Sequence, residues 1–358
     1  MIFQKIDATS NPKIMGGMFG LEINFQPDLS SLAVPAILAG PHLRLATARS
    51  AFTLLALTLR PPTVWLPSYL CGVVLEAFKD AGTCVKFYPV GEQLKITDEE
   101  WVNSVESHDM VVFIDYFGFN MWNFYGEAVK NRGAWVVEDA CQAMLNLSFS
   151  ENADYVIASP RKFLGVPDGG ILLAQNEAEL PSVDLPPPPA EWWIDSLKAS
   201  HLRASFDRHG GDREWFELFR KTDPNGPVEP TRMSELSSQL LDHAFNYETI
   251  SSLRRSNFRQ LAMALPEFAI FFELPANVAP LGFPVSVCDR DHLRLGLFEH
   301  GIFPPIHWPI HGIVPKEFEA SHCLEKKIMT LPCDQRNSPE DISCMIQIFK
   351  SFYPLPSD

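Results

Sequence analysis

Long apolar runs are missing from this chain. The longest, Ser50 to Leu59, is broken by threonines and ended by Arg60-Pro61-Pro62, well short of the about 18 residues that a membrane helix needs. The opening Met1-Ile2-Phe3-Gln4-Lys5-Ile6-Asp7 lacks the basic-then-apolar pattern of a secretory signal, so a cytoplasmic location and no membrane partner are the default expectations. No CxxC pair suggests zinc, and no metal site is expected. The seven cysteines are odd in number, scattered and mostly embedded in apolar runs, which reads as reduced buried thiols rather than a disulfide frame. Basic residues are outnumbered, 29 against 44 acidic ones, for a formal charge of -15. Phosphate contacts need a basic face, so nucleic acid is not an expected partner. Internal repeats and a Gly-x-Gly-x-x-Gly motif are also absent, which disfavours a dinucleotide fold.

What is present is an ordinary apolar share, 46% of 358 residues, enough for one large domain and a smaller one. Met1 to Pro41, rich in Gly, Pro and Asn, reads as an arm. From Leu43 a short strand turns into a helix ending at Leu59, followed by a strand from Val64, a helix over Val73 to Ala81 and a strand over Cys84 to Tyr88. A helix over Asp98 to Glu106, a strand over Met110 to Ile114, a helix over Trp122 to Arg132 and a strand from Ala134 continue the alternation. Short links between apolar strands and amphipathic helices predict an α/β fold, a mostly parallel sheet with helices on both faces. After the polyproline run at Leu185-Pro186-Pro187-Pro188-Pro189, a polar helical stretch covers Ala190 to Thr222, interrupted at Gly210-Gly211. A long helix capped by Ser234 is expected to reach about Leu265. Strands at Phe268 to Glu273 and Phe283 to Cys288, with helices at Asp291 to Glu299 and Pro339 to Phe352, would form a small α+β tail. The expected division is 1–245 for the large domain with its arm and 246–358 for the small one.

The chemistry concentrates between Val136 and Leu172. There Glu138-Asp139-Ala140-Cys141-Gln142-Ala143 follows one apolar run, Ser159-Pro160-Arg161-Lys162-Phe163-Leu164-Gly165 follows a second, and Asp168-Gly169-Gly170-Ile171-Leu172 opens a third. In an α/β sheet such strand ends open onto the crevice where ligands bind, so Asp139, Gln142, Ser159 and Lys162 are positioned to converge on one small molecule. A buried aspartate near a flanked lysine suits pyridoxal phosphate. The lysine forms the Schiff base, the aspartate keeps the pyridine nitrogen protonated, and the freed amine carries the Cα proton. Ser159 is placed for a phosphate oxygen.

The order Glu-Asp-Ala-x-Gln-Ala, Ser-x-x-Lys-x-Leu-Gly and x-Gly-Gly-Ile resembles the DegT/StrS family of aminotransferases, fold-type-I pyridoxal-phosphate enzymes that act on nucleotide-linked keto-sugars. The resemblance implies a three-layer α/β/α large domain and a small C-terminal α+β domain. It makes Lys162 the Schiff-base lysine, Asp139 the partner of the pyridine nitrogen and Gln142 the neighbour of the ring hydroxyl. It places the cofactor phosphate on the turn Thr47-Ala48-Arg49-Ser50-Ala51, with Arg49 standing where the family has threonine, either adding charge to the phosphate site or pointing outward. In Val64-Trp65-Leu66-Pro67-Ser68-Tyr69-Leu70-Cys71 the aromatic expected to stack on the ring falls at Cys71, so Tyr69 or another ring stacks, or the site is remodelled. Tyr116, in Tyr116-Phe117-Gly118, and His307, in Pro304-Pro305-Ile306-His307, are the substrate-site candidates. Pro230 replaces the asparagine with which the family reaches a neighbouring subunit's phosphate.

The expected activity is transfer of an amino group, from glutamate as donor, to a keto-sugar carried on a nucleotide. Cys71, Arg49 and Pro230 keep open a transaminase for another carbonyl compound. A noncatalytic binding protein of the same fold is the third reading, against which Lys162 argues, because a binding shell has no need of that amine. A homodimer is expected from the resemblance and from the rings Trp192, Trp193, Trp215, Phe216 and Phe219 in a polar segment, which a lone domain would have little core left to cover.

Overall fold

Seven strands form the central sheet in the computed structural model of the chain, which describes residues 13–23 and 34–353. In chain order the elements up to the sheet's last strand are β1 (Met15–Gly16), α1 (Ala36–Ala39), β2 (His42–Leu45), α2 (Ala48–Leu59), β3 (Thr63–Pro67), α3 (Gly72–Asp80), β4 (Cys84–Tyr88), β5 (Met110–Ile114), α4 (Asn123–Lys130), β6 (Trp135–Asp139), β7 (Tyr155–Ala158) and β8 (Gly170–Ala174). The sheet order is β2-β8-β7-β6-β5-β3-β4. All neighbours from β7 to β4 run parallel, and β8 alone is antiparallel to both of its neighbours. Every residue of β5, β7 and β8 is buried. Such uninterrupted apolar strands, Met110-Val111-Val112-Phe113-Ile114 among them, have no solvent face and so are covered on both sides by helices.

The chain places β4 on one side of β3 and then returns to place β5 on the other. Loops leaving the carboxyl ends of β3 and β5 therefore diverge and open a crevice at that point. The segments after β3 (Ser68 to Cys71), β5 (Asp115 to Phe117), β6 (Ala140 to Gln142) and β7 (Ser159 to Lys162) all leave from this edge. The α/β reading of the large unit is the observed architecture.

Beyond the sheet come α5 (Ala190–His209), α6 (Glu214–Thr222), α7 (Glu235–His243), α8 (Tyr247–Ala264), β9 (Phe283–Ser286), α9 (Arg290–Glu299), β10 (Ile302–Phe303), α10 (Glu319–Lys327), β11 (Ile328–Leu331) and α11 (Pro339–Ser351). Four expectations change here. The single helix to Leu265 is two, because Asn246 caps a new start by accepting from Thr249 N–H at 2.9 Å; a side chain that competes for backbone donors ends one helix and begins the next. Residues 98–106 contain only a 3-10 turn, Glu100–Ser104. Phe268 to Glu273 is not a strand: one bridge joins Ala269 to Val285, and the Phe268 ring packs on Phe349 and Tyr353 at 5.1 and 4.8 Å. The partner of β9 is β11, which the sequence pattern did not reveal.

The fourth concerns the rings of α5 and α6. Those helices pack on each other, and Trp192 and Trp215 are buried inside this one chain. Trp192 Nε1 donates to Thr222 O at 2.9 Å and the Arg203 guanidinium lies 4.5 Å over Trp215. Phe216 and Phe219 are half-buried. The chain covers Trp192 and Trp215 itself, so these two are not a reason to require a second subunit.

Candidate active site

Lys162 ends a one-turn 3-10 helix, Pro160–Lys162, that begins where β7 stops. Pro160 at its first position fixes the turn, and Ser159 precedes it with its side chain making no cap. Lys162 is half-buried. Asp139 is the last residue of the neighbouring strand β6, only 5% exposed, and one of its carboxylate oxygens accepts from Cys141 N–H at 3.0 Å. Parallel pairing of β6 with β7 sets Asp139 opposite Ile157, which brings the lysine turn to the same edge.

The charges at this edge act on one another. Burial pushes the Asp139 carboxyl up, while the Lys162 ammonium and the Cys141 N–H pull it back. Burial pulls the Lys162 ammonium down, but Cys141, Cys71, Asp139 and Asp223 together hold it above its ordinary value. Burial also pushes up the thiols of Cys71 and Cys141. His307 is held near a pKa of about 3, first by burial and then by the Lys162 charge, so its imidazole is neutral. Its Nδ1 lies 2.9 Å from Thr330 Oγ1. The chain thus brings Lys162, Asp139, Cys71, Cys141 and His307, separated widely in sequence, into one electrostatic neighbourhood.

Gln142 has one satisfied end and one open one. Its Oε1 accepts from Phe117 N–H at 2.8 Å, and its buried Nε2 meets no acceptor among the described residues. An orphaned buried donor costs about 1–3 kcal/mol, so the site holds a donor that only an incoming acceptor satisfies.

Three candidates take different positions from those expected. The Tyr69 hydroxyl donates to His307 O and accepts from Trp308 N–H at 2.8 Å, and its ring, wholly buried, packs tilted against Trp308 and Tyr116 at 5.9 and 6.2 Å. Tyr69 is a strut that positions His307 rather than a ring laid over the amine. Tyr116 is buried and donates its hydroxyl to Tyr69 O, which makes it a support for the strut rather than a group presented to substrate. Arg49 neither points outward nor stands free for a phosphate. Its Nη1 donates to Pro224 O at 3.2 Å and Gly226 O at 3.4 Å, clamping that loop over the start of α2.

At that start Thr47 caps α2, accepting from Ser50 N–H at 3.0 Å, while Thr47 and Ser50 hydroxyls donate to Pro227 O at 3.1 and 2.9 Å. Ala48 and Arg49 occupy the first turn, half-buried. A helix start is suited to anions. Ser159 is half-buried and its hydroxyl makes no hydrogen bond among the described residues. The Gly169-Gly170 pair has a packing reason: a Cβ on Gly170 would lie 2.3 Å from the Thr47 carbonyl carbon and oxygen, so β8 can approach α2 only with glycine there.

Two residues that matter, Asp168 and Asp223, were not flagged as such by the sequence. Asp168, wholly buried, accepts from Ser234 N–H at 2.7 Å and from the Ser234 and Ser237 hydroxyls, tying the β8 entry to the start of α7. Asp223, at the end of α6, sits 3.5 Å from Arg161 and acts on Lys162. Glu22 accepts from Gly165 N–H at 3.1 Å, docking the segment 13–23 beside the lysine turn.

No protein-family model matches this sequence, and no curated protein matches it. Solved structures do match. A DegT DnrJ EryC1 StrS aminotransferase from Brucella abortus superposes with a TM-score of 0.61 at 17% identity over 88% of this chain and 86% of that one. The fold is that of the DegT/DnrJ/EryC1/StrS aminotransferases. PseC of Helicobacter pylori, an aminotransferase involved in pseudoaminic acid biosynthesis, gives 0.65 at 13% identity over 89% of both chains. NtdA of Bacillus subtilis, solved with the cofactor PMP bound, gives 0.61 at 15% identity over 86% of this chain and 73% of that one. At such identities the likeness is one of fold.

Proposed function

We propose that the chain is a pyridoxal-phosphate-dependent aminotransferase. The observation that carries this reading is the placement of Lys162, in the turn after β7, and of the buried Asp139, the last residue of the paired parallel strand β6, at one end of the sheet. The residues present fit the cofactor: the unsatisfied Gln142 Nε2 is a donor suited to the ring hydroxyl, and the open Ser159 hydroxyl and the α2 start suit the phosphate. When bound, pyridoxal phosphate supplies an electron sink for the carbanion left when a Cα proton departs.

The chain's own residues supply the rest. Lys162 Nζ would anchor the cofactor covalently and, once freed, would carry the migrating proton. Asp139, buried at the end of the neighbouring strand, would hold a proton on the ring nitrogen. His307, neutral and fixed through Nδ1 to Thr330 and by the Tyr69 strut, offers its other ring nitrogen to a substrate polar group. Segment 13–23 docks beside the lysine turn through Glu22, and the 224–227 loop is held on the start of α2.

For the acceptor we infer a keto-sugar carried on a nucleotide, with glutamate as donor, on the resemblance of Glu138 to Ala143, Ser159 to Gly165 and Gly169 to Ile171 to that family. A non-sugar carbonyl acceptor is the second reading, favoured by one observation: Arg49 is spent on its own loop, where the family has a small phosphate-binding residue. The homodimer is likewise inferred from the resemblance alone. Absorption spectroscopy of protein incubated with pyridoxal phosphate tests the activity. A visible band that bleaches on adding glutamate and returns with a keto acceptor is expected. A protein that never develops the band, or whose band no amino donor changes, refutes the reading in favour of a noncatalytic fold.

A further inference from the structure

Away from the sheet edge, the end of α5 and segment 13–23 enclose a cleft of about 520 Å3, within the size range of small-molecule sites. Of the nine described residues that line it, five are basic, Lys13, Arg203, Arg208, His209 and Arg336, and one is acidic, Asp207. That concentration stands out on a chain of formal charge -15. Two of the cations are already answered from behind: Arg336 by Asp334 at 2.9 Å and Lys13 by Asp341.

Arg203 is not answered in full. Its side chain is 1% exposed and stacked on Trp215. Nε donates to Asp207 at 2.8 Å and Nη2 makes a long contact, 3.4 Å, to Gly16 O, while buried Nη1 meets no acceptor among the described residues. Burial, and next the Arg336 charge, pull Arg203 below its ordinary value, yet a guanidinium stays charged at any working pH. A buried cationic donor without an acceptor is costly. Phe206 adds an apolar wall, and Gly210 and Gly211, with φ of 69° and 107°, turn the chain so that exposed Arg208 and His209 remain at the rim.

We propose that this cleft binds a small oxyanion carrying more than one negative charge, of the phosphate or carboxylate kind, with Arg203 Nη1 as the buried donor and Arg208 at the rim. The site is separate from the Lys162 edge and does not rest on the aminotransferase reading. Its test is calorimetric titration of the protein, saturated with pyridoxal phosphate so that any phosphate site at α2 is filled, with pyrophosphate in one arm and citrate in the other. Saturable binding that weakens with added salt is expected in at least one arm, and the tighter arm tells phosphate from carboxylate. Arg208→Glu, an exposed change, should weaken it about tenfold or more, and Arg203→Lys, which keeps the charge but loses the forked donors, should weaken it as well. Absence of binding in both arms at millimolar probe, or binding that neither cleft variant alters, overturns the proposal.

Discussion

Behind Asp139 lies a pair of buried carboxyls whose chemistry predicts an inverted response to pH. Asp115, just past β5, and Glu138, in β6, are 1% and 0% exposed. Asp115 accepts from Trp122 Nε1 at 2.8 Å and Glu138 Oε2 from Ser150 N–H at 2.8 Å, but Glu138 Oε1 meets no donor. A proton on Glu138 resolves this by letting it donate to Asp115. Burial, and then the neighbouring Asp115 charge, push Glu138 well above the carboxylate range, and burial raises Asp115 to about 6. A carboxyl with a raised folded pKa binds more protons in the native state than in the unfolded one. Its contribution is therefore present below the unfolded value and is lost as pH climbs to the folded value. For Asp115 alone, moving from 3.8 to about 6 amounts to roughly 3 kcal/mol lost across pH 4 to 6, at about 1.36 kcal/mol per pKa unit; Glu138 extends the loss to higher pH. Glu138→Gln supplies a permanent donor to Asp115 and keeps an oxygen for Ser150. The variant should melt at or above the wild-type temperature at pH 8, with a gap that narrows toward pH 5. Thermal unfolding followed by circular dichroism at pH 5, 6, 7 and 8 measures this. Parallel curves for the two proteins, or a gap that widens at low pH, would refute the shared proton.

Lys162→Ala should abolish transamination and the borohydride-fixable attachment of cofactor; a variant that keeps both would remove the lysine from its role. Asp139→Asn should slow the half-reaction with donor far more than Gln142→Ala, because a buried charged hydrogen bond is about twice as strong as a neutral one and also sets the electronic state of the ring. Equal mild losses in rapid-mixing rates would count against that assignment. Gly165→Ala places a Cβ 2.0 Å from Gly20 O and 2.9 Å from Glu22 N; backbone cannot yield there, so a loss of at least about 1–3 kcal/mol is expected, seen as a lower melting temperature and faster proteolysis near residue 20. Light scattering after gel filtration should give the mass of two chains, and a fully active monomer would show that a second subunit is not needed.

The sequence by itself determined the sheet. Runs such as Met110 to Ile114 lie where apolar patterning puts them, because a strand buried on both faces leaves a local signature that no distant residue alters. The break at Gly210-Gly211 and the Ser234 cap were legible for the same reason. The fold-type-I reading and the positions of Lys162 and Asp139 at neighbouring strand ends followed from motif order plus parallel pairing. What only the tertiary structure decided are the contacts between residues far apart in the chain. Tyr69 and His307 are 238 positions apart, and nothing near Tyr69 in sequence says that its hydroxyl holds a backbone rather than its ring a cofactor. Arg49 could be read as a phosphate ligand or a surface charge until the 224–226 carbonyls claimed it. The rings of α5 and α6 invited a partner because their cover, an antiparallel helix pair with Arg203 stacked on Trp215, is invisible to local pattern. Local propensity and burial period are written in neighbouring residues; hydrogen bonds and charges that close a site depend on which distant side chains the folded sheet edge brings together.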